Sequence, residues 1–383
     1  MASTKHTRAA QRTNFPSVGN LQPIISRIFA SAQAINEERQ IPQPIIDSMA
    51  SQGLFRLLVP ESVGGVEADF LEYLAIVQAI AKADGSTAWC FNQNNVLGTM
   101  ASLMPESLAK EIWANPHAIL SNGPPQNATV TPIEGGYSLT GRWNFSSGSR
   151  HATWVMAVGR ISDTETLTML IPRQEVEFID VWQVNGLRGT GSFSFEAKNL
   201  FIPVGRSFVE ATIPRESGPL YLIARSLLFA AGFASVALGV ARAGLDIAID
   251  VSLKKTPQEQ ALLKEQTSTQ REIGQAEALW GSANAFLLEK AARLWKGACN
   301  NHVLTLEDRI QLRLASTHAI RQAAEVVDIA YSICGATSIF EANPIQRKFQ
   351  DAHAITQQIQ GRWEHYETAG QFFLGLDPQS RFF

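Results

Sequence analysis

The chain has 383 residues, 45% hydrophobic and 17% charged, with a formal net charge of -3. That length supports a large core, and the charge balance argues against nucleic acid as the principal partner. Cys90, Cys299 and Cys334 are too widely spaced for a zinc or redox motif and too few for a disulfide framework, which fits a cytosolic protein.

Residues 1–20 open with "MASTKHTRAAQRTNFPS", basic, acid-free and without the apolar core of a secretory signal. They read as an N-terminal tail, with a transit peptide as the alternative. Residues 21–120 read as a helical domain. "LQPIISRIFASAQAINEERQ" has apolar residues at three- and four-residue spacing, and "IPQPIIDSMASQGLFRLLVP" closes near Gly53 with Pro60 beyond. "DFLEYLAIVQAIAKADGSTAWCFNQNNVLGTMASL" gives two more helices, the second capped by Ser86 or Thr87. The pattern changes at "SNGPP", Ser121 to Pro125. Short runs of period-two alternation with Gly and Asn turns then predict an antiparallel β-domain within 121–214. Residues 215–383 return to helices, over Tyr221–Lys254, Gln258–Trp295, Leu306–Cys334 and Ile345–Phe373, as an up-down four-helix bundle. Ser226 to Ala241 carries no charge, but it is shorter than the roughly 20 residues of a membrane span. It reads as a core helix whose Gly and Ala let neighbours approach, so no membrane partner is expected. The fold class is α+β, mostly α: helical domain, middle antiparallel β-domain, C-terminal four-helix bundle.

Three stretches carry chemistry. In "GRWNFSSGSRHATW", Trp143 and Phe145 alternate onto one face of a strand, and Ser146 and Ser147 end it before Gly148. Their hydroxyls can donate hydrogen bonds without charge, or they are simply turn serines. His151 reads as a loop histidine bonded to backbone. In "WQVNGLRGTGSFSFEAKNLFIP", Gly189 to Ser192 offer backbone amides and Arg188 a guanidinium, which suits an anion or a plain hairpin turn. The stretch lacks the strand–GxGxxG–helix context of a dinucleotide fingerprint. In "YSICGATSIFEANPIQRKFQDAHAITQQI", a glycine turn separates two long helices.

With the order of elements, these stretches make residues 21–373 resemble the acyl-CoA dehydrogenase superfamily. The closest resemblance is to its group D, two-component flavin-dependent monooxygenases, which include aromatic and indole hydroxylases and dibenzothiophene monooxygenase. The resemblance implies an oxygenase component, assembled as a homotetramer and served by a separate NAD(P)H:flavin reductase that supplies FMNH2 or FADH2. With O2, a flavin C4a-hydroperoxide then inserts one oxygen atom into a small aromatic or heteroaromatic, indole-like substrate. It also implies roles for individual residues. Ser147, with Ser146 beside it, faces the flavin, and Phe145 packs on its ring. Arg188, Gly189, Thr190, Gly191 and above all Ser192 hold its phosphate, with Arg271 of the second bundle helix as a further phosphate ligand. Gly335, Ala336 and Thr337 meet the flavin of an adjacent subunit, and Asn122 contacts substrate.

The departures from the pattern concern acid–base groups. Where aromatic hydroxylases place a histidine seven residues beyond an Asp matching Asp351, this chain has Gln358, which becomes a catalytic candidate. Where a second histidine falls, the chain reads Asn92, Gln93, Asn94, Asn95. Amides do not titrate near neutral pH, but these four can hydrogen-bond a substrate or the peroxide, with Asn92 and Asn95 as the substrate-binding candidates. His353 is the nearest imidazole, on a different helix face from Gln358, with a structural or substrate-binding role. The missing base points to a substrate needing little deprotonation: an indole, a thioether or an amine. Two alternatives remain. An FAD-dependent acyl-CoA dehydrogenase needs a carboxylate base, and Gln360 stands near its expected place. A catalytically lapsed flavin-fold scaffold has no reason to keep both serines and the "GLRGTGS" loop.

Overall fold

The computed structural model describes residues 18–162, 164–210, 213–300 and 303–378. The tail expected over 1–20 lies outside the described residues as far as residue 17; Val18–Leu21 form a short 3₁₀ turn. Five helices follow: α1 Gln22–Glu38, α2 Gln43–Ser51, α3 Phe70–Ala83, α4 Gly85–Gly98 and α5 Glu106–Trp113. In α1 the buried positions are Ile24, Ile28, Ala32 and Ile35, the periodicity seen in the sequence. The cap of α4 is Asp84, one turn earlier than the expected Ser86 or Thr87. Its carboxylate accepts both the N–H and the hydroxyl of Thr87, so Thr87 is the donor to the cap.

The middle of the chain forms one sheet of eight strands: β1 Leu120–Asn122, β2 Thr129–Ile133, β3 Gly136–Ser146, β4 Trp154–Arg160, β5 Thr166–Pro172, β6 Glu177–Ile179, β7 Phe193–Pro203 and β8 Ser207–Phe208. The order is β6-β7-β3-β2-β4-β5-β8, with β1 on β4. The sheet is mixed, which corrects the expectation of a purely antiparallel domain. β1 runs parallel to β4, and β2 meets β4 in one parallel pairing, Thr129 with Arg160. The cause is the segment between β3 and β4. It is an open turn rather than a tight hairpin, so β4 docks beside β1 and β2 instead of folding back on β3.

A second correction sits at the end of β3. Trp143 faces Phe195 and Ser146 faces Phe193, three steps on β3 against two on β7. This is a β-bulge, with Phe145 at φ +56°. The extra residue breaks the alternation: Trp143 is 0% exposed in the sheet core and Phe145 is 64% exposed. The two rings therefore do not share a face.

The C-terminal helices are α6 Arg225–Ser252, α7 Thr267–Cys299, α8 Leu306–Cys334, α9 Pro344–Thr356 and α10 Glu364–Phe373. The fourth helix of the expected bundle is thus two helices joined by a 3₁₀ turn, Ile359–Gly361. The break is held from outside: the buried Arg313 guanidinium donates to Gln360 Oε1, and Thr317 Oγ1 to Gln360 O. One continuous core joins α1–α4 to α6–α9, while the sheet keeps its own around Leu139, Trp143 and Phe195. α6 is long and apolar enough by composition to cross a bilayer, but 89% of its apolar window is buried, between α3 and α8.

A Cβ on Gly239 of α6 would stand 2.5 Å from both Gln78 O and Ala81 Cβ of α3. Gly239→Ala gains roughly 0.5–1 kcal/mol of helix propensity but forces the helices apart, which costs about 1–3 kcal/mol. The melting temperature should therefore fall; a rise would contradict this packing.

Candidate active site

Two turns of the β-domain and one helix build the site. After the bulge, Gly148 (φ +76°) carries the chain into a helical turn in which Ala152 N donates to Gly148 O at 3.0 Å. The second turn is Leu187–Ser192, with Leu187 at φ +51° and Gly191 at φ +48°. The two turns join through Gly148 N to Thr190 O, 2.8 Å, and Ser149 Oγ to Gly191 O, 2.8 Å.

A chain of hydroxyls runs between them. Thr190 Oγ1 donates to Leu187 O at 2.9 Å. Thr190 and Ser192 hydroxyls are 2.7 Å apart, and those of Ser192 and Ser147 are 2.8 Å apart. Trp89 Nε1 donates to Ser147 Oγ at 3.1 Å. Each hydroxyl owns one proton, so the direction is fixed: Ser147 donates to Ser192, Ser192 to Thr190 and Thr190 to the carbonyl. Ser147 thus enters with its proton committed and one lone pair free, an acceptor where the sequence suggested a donor. Ser146 similarly donates to Ser121 Oγ (2.6 Å), because Ser121 donates to Ser147 O (2.9 Å).

One face of α4 covers this wall. Trp89 reaches Ser147, Cys90 Sγ lies 3.6 Å from Thr190 O, Gln93 Nε2 donates to Asn122 Oδ1 at 2.7 Å, and Asn94 Nδ2 donates to Leu120 O. Trp89 stacks on Phe233 of α6 (3.9 Å between centroids), which stacks on Phe229 (5.9 Å).

Beneath the second turn, Asp351 of α9 accepts the Leu187 N–H at 2.6 Å. Lys348, buried beside it, donates to Ala83 O at 3.3 Å. Burial and the neighbouring Asp84 push the Asp351 carboxyl up to about 6, against the pull of Lys348, whose own ammonium is pushed down by burial. His151 is neutral, pushed down to about 4 by burial and by Arg173. Its Nε2 is sealed with no partner, so the expected backbone bond at that nitrogen is absent. Asn94 Oδ1 and Asn92 Nδ2 are also buried without partners.

The structure brings together Ser146, Ser147, Thr190, Ser192 and Asn122 from the expected set. Others it assigns elsewhere. Asn95 is fully occupied, accepting Leu57 N–H and donating to Leu54 O and Phe91 O, so it is a structural residue and not a substrate ligand. Asn92, about 100° round α4 from Gln93, accepts Tyr73 O–H at 2.8 Å and packs against Gly232 of α6. Arg188 gives Nε to Asn36 O and Nη1 to Val184 O, pinning the loop to α1 rather than offering a free fork. Gly189 is explained by packing: a Cβ there would lie 2.1 Å from Ile35 Cγ2. Of the four amides from Gly189 to Ser192, those of Thr190 and Gly191 are spent on Leu187 O and Arg188 O, which narrows the candidate anion cradle to the amides of Gly189 and Ser192.

Gln358 lies beyond α9, not on it, and caps the turn that follows, its Oε1 accepting Gln360 N–H at 2.7 Å. His353 is exposed and sits 2.8 Å from Asp328, away from the serines. Arg271 is exposed on α7. Gly335, Ala336 and Thr337 form a turn against α8 and α9, braced by Lys255 Nζ at 2.7 Å from Cys334 O and Thr337 Oγ1. Within one chain neither Arg271 nor this turn joins the hydroxyl chain. Phe145 stands edge-on to Trp182 at 6.2 Å. Trp89 and Gln93 were not singled out from their run, and Ser121 was missed. For the first two, the signal was the i, i+4 spacing that puts them on one side of α4.

The models for the acyl-CoA dehydrogenase N-terminal and C-terminal domains match residues 25–112 and 231–362. Indole-3-acetate monooxygenase of Pseudomonas putida is 32% identical over 356 residues, covering 90% of each chain. The flavin-dependent monooxygenase oxygenase subunit HsaA of Rhodococcus jostii is 27% identical, covering 87% of this chain and 91% of its own. XiaF from Streptomyces sp., solved with FADH2 and glycerol, shares the fold at TM-score 0.89 and 24% identity, covering 95% of this chain and 96% of its own. The chain belongs to the acyl-CoA dehydrogenase superfamily, in its flavin-dependent monooxygenase branch. It is an enzyme of that kind, a flavin-dependent monooxygenase. Gln360, near the place where a dehydrogenase carries its base, is an amide bound to Arg313.

The folded chain holds the Asp351 proton more tightly than the unfolded one, where a free Asp titrates near 3.9. This contribution is therefore full below about pH 4 and lost as pH rises through about 6. Asp351→Asn keeps an oxygen for Leu187 and removes the charge. Its stability relative to the native chain should rise between about pH 5 and about pH 8; a flat or falling difference in unfolding midpoints would contradict the buried carboxylate.

Proposed function

We propose that the chain is the oxygenase component of a two-component system, receiving reduced flavin from a separate NAD(P)H:flavin reductase and hydroxylating a neutral, indole-like aromatic. Reduced flavin, FMNH2 or FADH2, supplies when bound the electrons that activate O2. The observation that carries the reading is the polarised chain from Trp89 through Ser147 and Ser192 to Thr190. It leaves Ser147 with a lone pair for an N–H donor, and a reduced isoalloxazine brings such donors. The unpartnered Nε2 of neutral His151 lies beside the same turn: a Cβ on Gly148 would come within 2.9 Å of it. The donor set therefore fits the cofactor.

The residues that would do the work divide simply. Ser147 and Ser192 orient the cofactor, Trp89, backed by the buried Phe233 ring, offers an apolar surface for a planar substrate, and Asn122 contacts its polar edge. None of these groups titrates near neutrality, so none can deprotonate a phenol. Phe145, Ile339 and Phe340 are large, apolar and exposed. They support a homotetramer in which the Gly335–Thr337 turn of one subunit meets the cofactor of another, and the cytoplasm as its location is part of the proposal.

The test is product formation by purified protein with a generic flavin reductase, NADH and indole. Turnover should depend on the reductase and, above the range in which Asp351 titrates, stay nearly flat from about pH 7 to about pH 8, since hydroxyls and amides do not titrate there. Efficient hydroxylation of a simple phenol instead, rising with pH, would reject the neutral substrate. Ser147→Ala should lower product per flavin oxidised by roughly a hundredfold, the lower end of the range found when one oriented hydrogen-bonding group is removed from a reacting centre. Unchanged coupling would remove Ser147 from the site.

A further inference from the structure

Gln93 is the single residue of α4 that is not buried, and Asn122 is the single residue of β1 in that state. Their side chains bind each other at 2.7 Å, one helical turn from the Trp89–Ser147 contact and next to Ser121 in the chain. Everywhere else α4 is sealed against its neighbours; this pair is where it opens. An amide pair joined by one hydrogen bond leaves one carbonyl oxygen and one NH2 group unused. Reversing both amides exchanges their owners but leaves the same two groups. As placed, these are Gln93 Oε1 and Asn122 Nδ2, and neither has a protein partner among the described residues. The stacked series Trp89, Phe233, Phe229 lies on the same side of the site through Trp89.

We propose that the Gln93–Asn122 pair reads the ring N–H of a planar heteroaromatic substrate, so that the enzyme selects N–H heterocycles over their sulfur and oxygen isosteres. This rests on the monooxygenase reading and narrows it, removing the thioether from the candidate substrates. An N–H donates to the free carbonyl oxygen, and the ring lies along the aromatic wall. A sulfur or ether oxygen at the same place brings no donor and leaves that oxygen facing a desolvated ring edge. Because both reading groups are amides, the selection does not depend on pH near neutrality.

Indole, benzothiophene and benzofuran differ at this one atom. With the intact protein, their affinities are measured by calorimetry, and their turnover is measured with reduced flavin and O2. The native chain should prefer indole by about tenfold in kcat/KM, mainly through KM; the pair is half-exposed, so the discrimination falls far below that of a buried polar site. Gln93→Met, similar in size, should abolish the preference in both measurements, and Gln93→Glu, which keeps an acceptor oxygen, should retain it. Melting temperatures confirm that each variant is folded. Equal affinity of the native chain for the three compounds, no binding of indole, or a preference that survives Gln93→Met would overturn the proposal. Selective indole binding without oxygenated product would support the amide pair and overturn the proposed hydroxylation of an indole-like substrate instead.

Discussion

The site hangs from one buried hydrogen bond, that of the Leu187 N–H to the Asp351 carboxylate, 2.6 Å long and spanning 164 positions of sequence. An isolated carboxylate at such a place would cost several kcal/mol. Here Lys348 and the Leu187 amide offset part of that cost, and the rest appears as the raised Asp351 pKa. From this bond a single directed chain continues. Leu187 O accepts Thr190, Thr190 accepts Ser192, Ser192 accepts Ser147, and Ser147 accepts Trp89. The helical bundle thereby sets the orientation of a serine at the end of β3, because each hydroxyl has one proton and one direction left to point it.

Close packing makes the arrangement rigid. Gly186 brings the loop against α9 so tightly that a Cβ would lie 2.1 Å from Gln350 O. Gly189 does the same against Ile35 of α1 and Ser86 of α4. In a sequence such glycines look like a phosphate loop. In the fold their absent side chains let three helices close around one turn, and the neighbouring amides of Leu187, Thr190 and Gly191 are engaged within the protein.

Much of the architecture was legible in the sequence, because helix and strand periodicities are local. α8 starts and stops where its pattern does, at Leu306 and Cys334. The serines before Gly148 were visible for the same reason. What was not legible depends on geometry beyond the local pattern. Asn92, Gln93, Asn94 and Asn95 look alike in sequence, but successive residues of a helix turn by about 100°. One therefore meets Tyr73, two meet the β-domain and one meets the Leu54–Leu57 turn. The β-bulge that parts Phe145 from Trp143 leaves no mark in an alternating run. The break before α10 depends on Arg313, a side chain some fifty positions away.

The central claim, that Asp351 acts on Ser147 through the hydroxyl chain, is tested most directly by a double-mutant cycle. Anaerobic affinity for reduced flavin is measured for the native chain, Asp351→Ala, Ser147→Ala and the double variant. The account predicts a coupling of about 1 kcal/mol or more, since the second substitution removes a contact the first has already disordered. Strictly additive losses would show that the carboxylate and the serine act independently and would contradict it.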